Sequence, residues 1–220
     1  MKKLVTIRMA EPSDAEQILN IYAPYVQQSS ATFEYTVPSV GEFEQRIRNT
    51  LTDLPYILCE IDGELQGYAY ASHYRSRAAY QWDCELSIYI REDSLRAGIG
   101  KLLYEILLKL LAEMNYVHAY ACITTPNDAS IAFHKAMGFV QNAYFEQCGF
   151  KNGRWYDITW MDYRLNDEVA PCSSGAPPKP VKSIRELSEQ WILELFSDYE
   201  NRLETSLQND IMIFKSFLGI

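Results

Sequence analysis

No CxxC pair occurs in this chain, and no grouping of its three histidines and five cysteines has metal-ligand spacing. A bound metal is therefore not expected, because structural metal sites need closely spaced soft ligands. The cysteines (Cys59, Cys84, Cys122, Cys148 and Cys172) are scattered and odd in number. They read as reduced thiols, which points to a cytoplasmic setting. Positive charge is also in short supply: 20 Lys and Arg stand against 29 Asp and Glu, for a net charge of -9. That balance argues against wrapping nucleic acid or lying on an anionic membrane. Long hydrophobic runs are missing too. "EILLKLLAEM" is broken by charge and too short to span a bilayer, and "MKKLVTIRMAEP" lacks the apolar centre of a signal peptide. Any anion this protein binds must be held by a local constellation.

With 220 residues and 48% hydrophobic content, the chain can build one well-packed domain plus an appendage. "LVTIRMA" has strand composition. "EPSDAEQILNIYAPYV" reads as a helix opened by a Ser13/Glu16 capping box, with Ile18, Ile21, Tyr22 and Tyr25 as its apolar stripe. A second helix follows in "PSVGEFEQRIRNTL", with Phe43, Ile47 and Leu51 on one face. Asp62-Gly63 is the turn signal of a hairpin within "YILCEIDGELQGYAYAS". "DCELSIYI" is a strand, "LRAGIGKLLYEILLKLL" carries the helix after it, and "VHAYACIT" is the next strand. "NDASIAFHKAM" is a short helix closed by Gly138. "FVQNAYFEQC" and "WYDITWMDYRL" are the final strands, joined by "GFKNGR". The order predicts a mixed, mostly antiparallel α/β (α+β) sheet, flanked by helices and holding one parallel pair across the central crossover helix. Residues 1–165 form this domain. "NDEVAPCSSGAPPKPVK" makes 166–182 a linker by its Pro, Ser and Gly content. Residues 183–220 read as a helical extension, opened by a Ser183/Glu186 capping box and carrying Ile184, Leu187, Trp191, Leu195 and Tyr199 on one face. Such a stripe is expected to fold back on the domain or on a second subunit. Its last segment, "DIMIFKSFLGI", is strongly apolar.

The chemistry begins at "RAGIGK". A strand, a short connection and a glycine-bearing helix start make an anion site, because the first turn has unpaired N–H groups and the positive end of the helix dipole. Gly98 and Gly100 let a ligand approach bare backbone, while Arg96 and Lys101 add charge. The spacing is neither a Walker loop nor a dinucleotide fingerprint. It resembles the Gln/Arg-x-x-Gly-x-Gly/Ala loop of the GNAT acetyltransferases, and "NDASIAFHKAMGF" resembles a further segment of that family. "SSATFEY", "YRSRAAYQWDCELSIYI" and "GFKNGRWYDITWM" are similar to its phosphinothricin and methionine sulfoximine N-acetyltransferase branch. The resemblance runs from about Val5 to Leu165. It departs at Leu95, which takes the loop's Gln/Arg position while the arginine is displaced to Arg96.

This resemblance implies the GNAT fold, acetyl-CoA as co-substrate, a small amino-acid-like acceptor and a homodimer. It implies that Arg96, Ala97, Gly98, Ile99, Gly100 and Lys101 hold the pyrophosphate, and that the backbone of Ile88, Tyr89 and Ile90 pairs with the pantetheine arm. Asn127 contacts CoA in the family; by position it also reads as an N-cap. Strand alternation puts Glu85 on one face with Asp83, Ser87 and Tyr89. The resemblance makes Glu85 the general base, with Leu86 and Ser87 beside the acceptor. Arg75, Ser76 and Arg77 lie in a loop that lines the acceptor site in the amino-acid-modifying branch; alternatively they are solvated loop residues. An arginine fork there suits a carboxylate or phosphinate. Phe33, Tyr80 and Trp82 are candidates for the pocket wall or for ordinary core. His134 stands where relatives carry a residue proposed to protonate the departing thiolate; alternatively it packs beside Phe133. Acetylation of a protein N-terminus, lysine or polyamine is a second reading within the fold, and a non-catalytic acyl-CoA-binding module is a third.

Overall fold

The computed structural model describes residues 3–166 and 178–218, with the side chains of the last helix described as far as Asn209. The strands are β1 (Val5–Met9), β2 (Tyr56–Ile61), β3 (Glu64–His73), β4 (Asp83–Ile90), β5 (His118–Thr125), β6 (Val140–Lys151) and β7 (Arg154–Arg164). They form one seven-stranded sheet in the order β1-β2-β3-β4-β5-β7-β6. Every neighbouring pair is antiparallel except β4 and β5. The parallel pair follows from the crossover helix α3 (Ile99–Glu113), which carries the chain back to the end of the sheet where β4 begins.

The two faces of the sheet bury different cores. Helices α1 (Ala15–Gln28) and α2 (Val40–Thr50) cover one face, with Ile18, Ile21, Tyr22, Phe43 and Ile47 buried against Leu58 and Tyr68. Helix α3 is apolar nearly all round and covers the other face with Leu103, Ile106, Leu107, Leu110 and Leu111. Helix α4 (Asp128–Ala136) lies beyond β5.

Local signals hold at most junctions. Asp62 and Gly63 both take positive φ, 54° and 81°, as a two-residue hairpin turn of the mirror-image type requires. Asn152 and Gly153 repeat this at 49° and 79°. The start of α1 is different. Ser13 lies inside a short 3-10 turn (Pro12–Asp14), so the Ser13/Glu16 box does not form. Asp14 takes the capping role instead, accepting from the Glu11 N–H at 2.7 Å while Arg8 holds it with two 2.7 Å bonds.

The C-terminal extension folds back on the domain. Ser183 and Glu186 do form a capping box, the Ser183 N–H donating to Glu186 Oε1 at 2.7 Å, but it opens a 3-10 turn (Ile184–Glu186) ahead of α5 (Glu189–Leu218). Leu195, Phe196, Tyr199 and Leu203 of α5 join the α3 core. Glu200 Oε1 accepts from the Ile7 N–H at 2.7 Å, and Glu204 Oε1 accepts from the Val5 N–H at 3.2 Å. Two helix residues four apart are spaced about 6 Å along the axis. Two strand residues two apart are spaced about 6.7 Å. Glutamates one turn apart thus match alternate donors on the outer edge of β1, an edge that otherwise invites pairing with another chain.

Most of the linker, and the side chains of the apolar segment that begins at Asp210, lie outside the described residues. The described end of the linker is packed: the Trp82 indole donates to Lys179 O at 2.8 Å, and the Lys182 N–H donates to Met114 O at 2.9 Å.

Candidate active site

The β4–β5 ladder has three rungs: Asp83↔His118, Cys84↔Ala119 and Glu85↔Tyr120. Beyond Glu85 the two strands part, while β4 stays paired with β3 up to Gly67↔Ile90. The Arg91 N–H donates to Gln66 O at 2.8 Å, which makes Gly67↔Ile90 a pair that exchanges no bonds with itself. The peptide groups of Glu85, Ser87 and Tyr89 therefore face β3, and those of Ile88 and Ile90 face the gap. Among the described residues nothing pairs with the Ile88 groups or the Ile90 N–H; the Ile90 carbonyl accepts the Tyr25 hydroxyl at 2.6 Å. This corrects the expectation for Tyr89. Its backbone belongs to the β3 ladder, and its ring packs on Tyr22, Tyr25 and Tyr68. Leu86 is corrected in part: its side chain is buried in the α3 core, on the opposite face from Glu85.

Glu85 is half-buried at the fork of this gap. No donor or cation partners its carboxyl among the described residues, and burial raises its pKa above 4.5. A carboxylate without a counter-charge in a partly dry site holds a proton more tightly than one in water. Ser87 lies next on that face and meets the Tyr70 hydroxyl. Cys122, a free thiol on β5, faces the same space; desolvation of the thiol and, after it, the nearby Glu85 charge push its pKa up.

At the open end of the gap stands the start of α3. The Leu102 N–H to Gly98 O bond, 3.1 Å, is the first of the helix, so the N–H groups of Ile99, Gly100 and Lys101 have no helical acceptor. Arg96 and Gly98 take left-handed φ of 67° and 82° and turn the chain tightly into the helix. A Cβ on Gly100 would stand 3.7 Å from both Ile88 Cδ1 and the Phe133 ring. The bare side of Gly100 thus opens between β4 and α4. Lys101 is exposed and pairs loosely with Glu105 at 3.7 Å. Leu95 is 52% exposed on the surface.

Across the gap, Asn127 caps α4, its Oδ1 accepting from the Ser130 N–H at 3.1 Å. His134 is buried with both ring nitrogens engaged. Nδ1 lies 2.8 Å from Ser130 O, and Nε2 lies 2.9 Å from the Tyr104 hydroxyl. A carbonyl only accepts, so Nδ1 carries the proton and Nε2 accepts from Tyr104. Burial lowers the His134 pKa further. The ring sits edge-on to Tyr104, Phe133 and Phe139. This geometry favours the packing role over proton donation to a thiolate.

The rim is aromatic. Arg75 lies over the Tyr74 ring at 4.9 Å and near Tyr80 at 5.8 Å, and Tyr74 packs on Tyr120 at 4.6 Å. Tyr120 is the rung partner of Glu85, so this loop is tied to the fork through one ring. Ser76 and Arg77 are exposed in the same loop. Phe33 closes the opposite side between Gly149 and Tyr156, its ring 6.3 Å from that of Tyr156. A Cβ on Gly149 would fall 2.2 Å from the Phe33 ring. Trp82 is not part of this wall; it holds the linker from the other face.

One residue that the sequence reading missed is Lys151. It is 1% exposed, and its Nζ donates to Val26 O at 2.8 Å and Thr32 O at 2.7 Å. It therefore caps the end of α1 and fastens the loop carrying Phe33 to the β6–β7 hairpin. A lysine beside an Asn-Gly turn gives no sign of this, since such positions are usually solvated.

Comparison with known proteins agrees with this arrangement. The acetyltransferase (GNAT) domain family matches residues 7–160. Phosphinothricin N-acetyltransferase of Alcaligenes faecalis is 39% identical over 166 residues, which is 73% of this chain and 83% of that protein. The L-methionine sulfoximine/L-methionine sulfone acetyltransferase of Salmonella typhimurium is 30% identical over 168 residues, 76% of this chain and 98% of that protein. A crystal structure of a Sinorhizobium meliloti phosphinothricin acetyltransferase with acetyl-CoA superposes with a TM-score of 0.73 at 33% identity, covering 82% of this chain and 96% of the other. The parted strands, the bare helix start and these similarities together establish that this chain belongs to the GNAT acetyltransferases.

Proposed function

We propose that this protein transfers an acetyl group from acetyl-CoA to the α-amino group of a small amino-acid-like acceptor of the phosphinothricin, methionine sulfoximine or methionine sulfone type. The observation that carries this reading is the fork in the sheet. The β4–β5 ladder stops at Glu85↔Tyr120 and leaves the Ile88 peptide groups without a strand partner. An extended amide-bearing arm fits such an edge as an added strand. The free N–H groups of Ile99, Gly100 and Lys101, with the Lys101 and Arg96 charges, suit a pyrophosphate. Acetyl-CoA would be held by these residues and by Asn127, and its thioester supplies the acetyl group.

The chain's own contribution is positioning and proton handling. An α-amino group has a pKa near 8, so only a modest base is required at neutral pH. Glu85, whose burial raises its proton affinity, takes the ammonium proton through water. Donors on β4 that are free of the ladder suit negative charge developing on an acyl oxygen. Phe33 and Tyr156 wall the acceptor side. Arg75 and Arg77 attract the acceptor's carboxylate or phosphinate from the rim. His134 keeps its packing role beside Tyr104.

A homodimer is part of the same proposal. The outer strand β6 exposes Val140, Tyr144, Phe145 and Phe150, a long apolar edge that suits a second copy. The free thiols Cys59, Cys84, Cys122 and Cys148 are in keeping with a reducing cytoplasm.

The test is release of CoA thiol in the presence of phosphinothricin, methionine sulfone, spermidine or a peptide with a free N-terminus. Turnover is expected with the first two. Turnover confined to the polyamine or the peptide would replace the acceptor class, and CoA binding without any turnover would favour a binding module.

A further inference from the structure

The family match ends at residue 160, whereas α5 begins at Glu189. This added helix reaches the loop that the proposed reaction assigns to the cofactor. Leu203 Cδ1 lies 3.8 Å from the point where a Gly98 Cβ would stand. Leu203 itself is buried, and Leu207 shares a cleft with Ala97 and Ile99. Arg202 Nη2 lies 3.2 Å from Glu105 Oε2, and the other oxygen of that carboxylate lies 3.7 Å from Lys101 Nζ.

We propose that α5 is a positioning element of the acetyl-CoA site. Leu203 supports the Arg96–Gly100 turn from beneath, and Arg202 shares Glu105 so that Lys101 is left freer for phosphate. The inference rests on the reading of that turn as the pyrophosphate site. The turn needs support because Arg96 is held at a φ of 67°. That conformation costs a non-glycine residue energy and persists only where its surroundings fix it. A turn already fixed in the binding conformation loses less freedom when a ligand arrives. Leu203 dominates, since the Arg202–Glu105 pair is exposed and screened.

Titration calorimetry of CoA into the full-length chain tests this. The variants are Leu203→Ala, Leu203→Met and Glu200→Gln, with helix content checked by circular dichroism. Leu203→Ala is expected to weaken CoA binding by about threefold to tenfold, as expected when preorganisation is lost, and to speed amide exchange at Gly98–Lys101. Leu203→Met restores both. Glu200→Gln alters one contact of α5 with β1 and keeps Leu203 seated against the turn, so it is expected to lower Tm and leave CoA affinity unchanged. Wild-type CoA affinity in folded Leu203→Ala would overturn the proposal, as would equal weakening in Glu200→Gln. Should Leu203→Ala not fold, Leu203→Val carries the same comparison. If the wild-type chain takes up no CoA, the cofactor reading fails on its own; the exchange rates then still decide whether α5 holds the turn.

Discussion

Glu85 on β4 stands opposite Tyr120 on β5 in the last rung before the two strands part. The proposed base thus sits where the sheet stops satisfying its own backbone and begins to offer it. Tyr120 also receives Tyr74, at 4.6 Å between rings, so the arginine-bearing loop packs directly against the fork.

The same placement carries a stability cost. Glu85 is half-buried without a partner among the described residues, and burial raises its folded-state pKa. Between pH 4.5 and that raised value the folded state binds the extra proton, so stability falls as pH rises through this window. Glu85→Gln is therefore expected to raise Tm at pH 7, with the gain vanishing below about pH 4. A thermal melt series across pH checks this; a lower Tm at pH 7 would mean that the carboxylate has a partner.

Gly98 and Gly100 are expected to separate folding from binding. Gly98→Ala forces a side chain into a φ of 82° and costs about 1–2 kcal/mol of stability. Gly100→Ala has ordinary contact distances of 3.7 Å around its new methyl and gains up to about 1 kcal/mol of helix propensity. Its methyl faces the cleft between Ile88 and Phe133, so CoA affinity is expected to fall although Tm rises. Melts and titrations on both variants read the two effects.

Lys151→Met leaves the Val26 and Thr32 carbonyls without their donor, at about 1–3 kcal/mol for each buried acceptor left dry. The loosened loop carries Phe33. The KM for the acceptor is therefore expected to rise severalfold while CoA affinity holds, with Lys151→Arg intermediate. Equal KM in wild type and Lys151→Met would detach this loop from the acceptor site.

Much of this was legible in local chemistry. Asp62-Gly63, Gly138 and Ser183/Glu186 mark their turns and caps by side-chain identity alone, and alternation along "DCELSIYI" separates Glu85 from Cys84 correctly. What depends on partners distant in sequence was not legible. The direction of the Tyr89 peptide follows from the β3 register. The fate of Trp82 depends on Lys179, and that of Lys151 on Val26 and Thr32. The Ser13 box failed because Arg8 and Glu11 give Asp14 a stronger set of bonds.

His134 illustrates the same limit and gives a further expectation. Burial depresses its folded-state pKa below the ordinary 6.5. Its contribution is present above pH 6.5 and lost as pH falls through the folded value. The wild type is expected to lose stability in that acid range with a slope that His134→Phe abolishes. The variant itself loses about 1–3 kcal/mol at neutral pH because the buried Tyr104 hydroxyl is orphaned. A kcat that fell by orders of magnitude while the fold held would restore the acid role.

Glu85→Gln in the acetyl transfer assay is the most direct measurement. With methionine sulfone and saturating acetyl-CoA, the variant is expected to lose about 100-fold or more in kcat at pH 7, while CoA affinity stays at the wild-type value. A variant that turns over at the wild-type rate with the wild-type pH profile would contradict the assignment of the fork as the reaction centre.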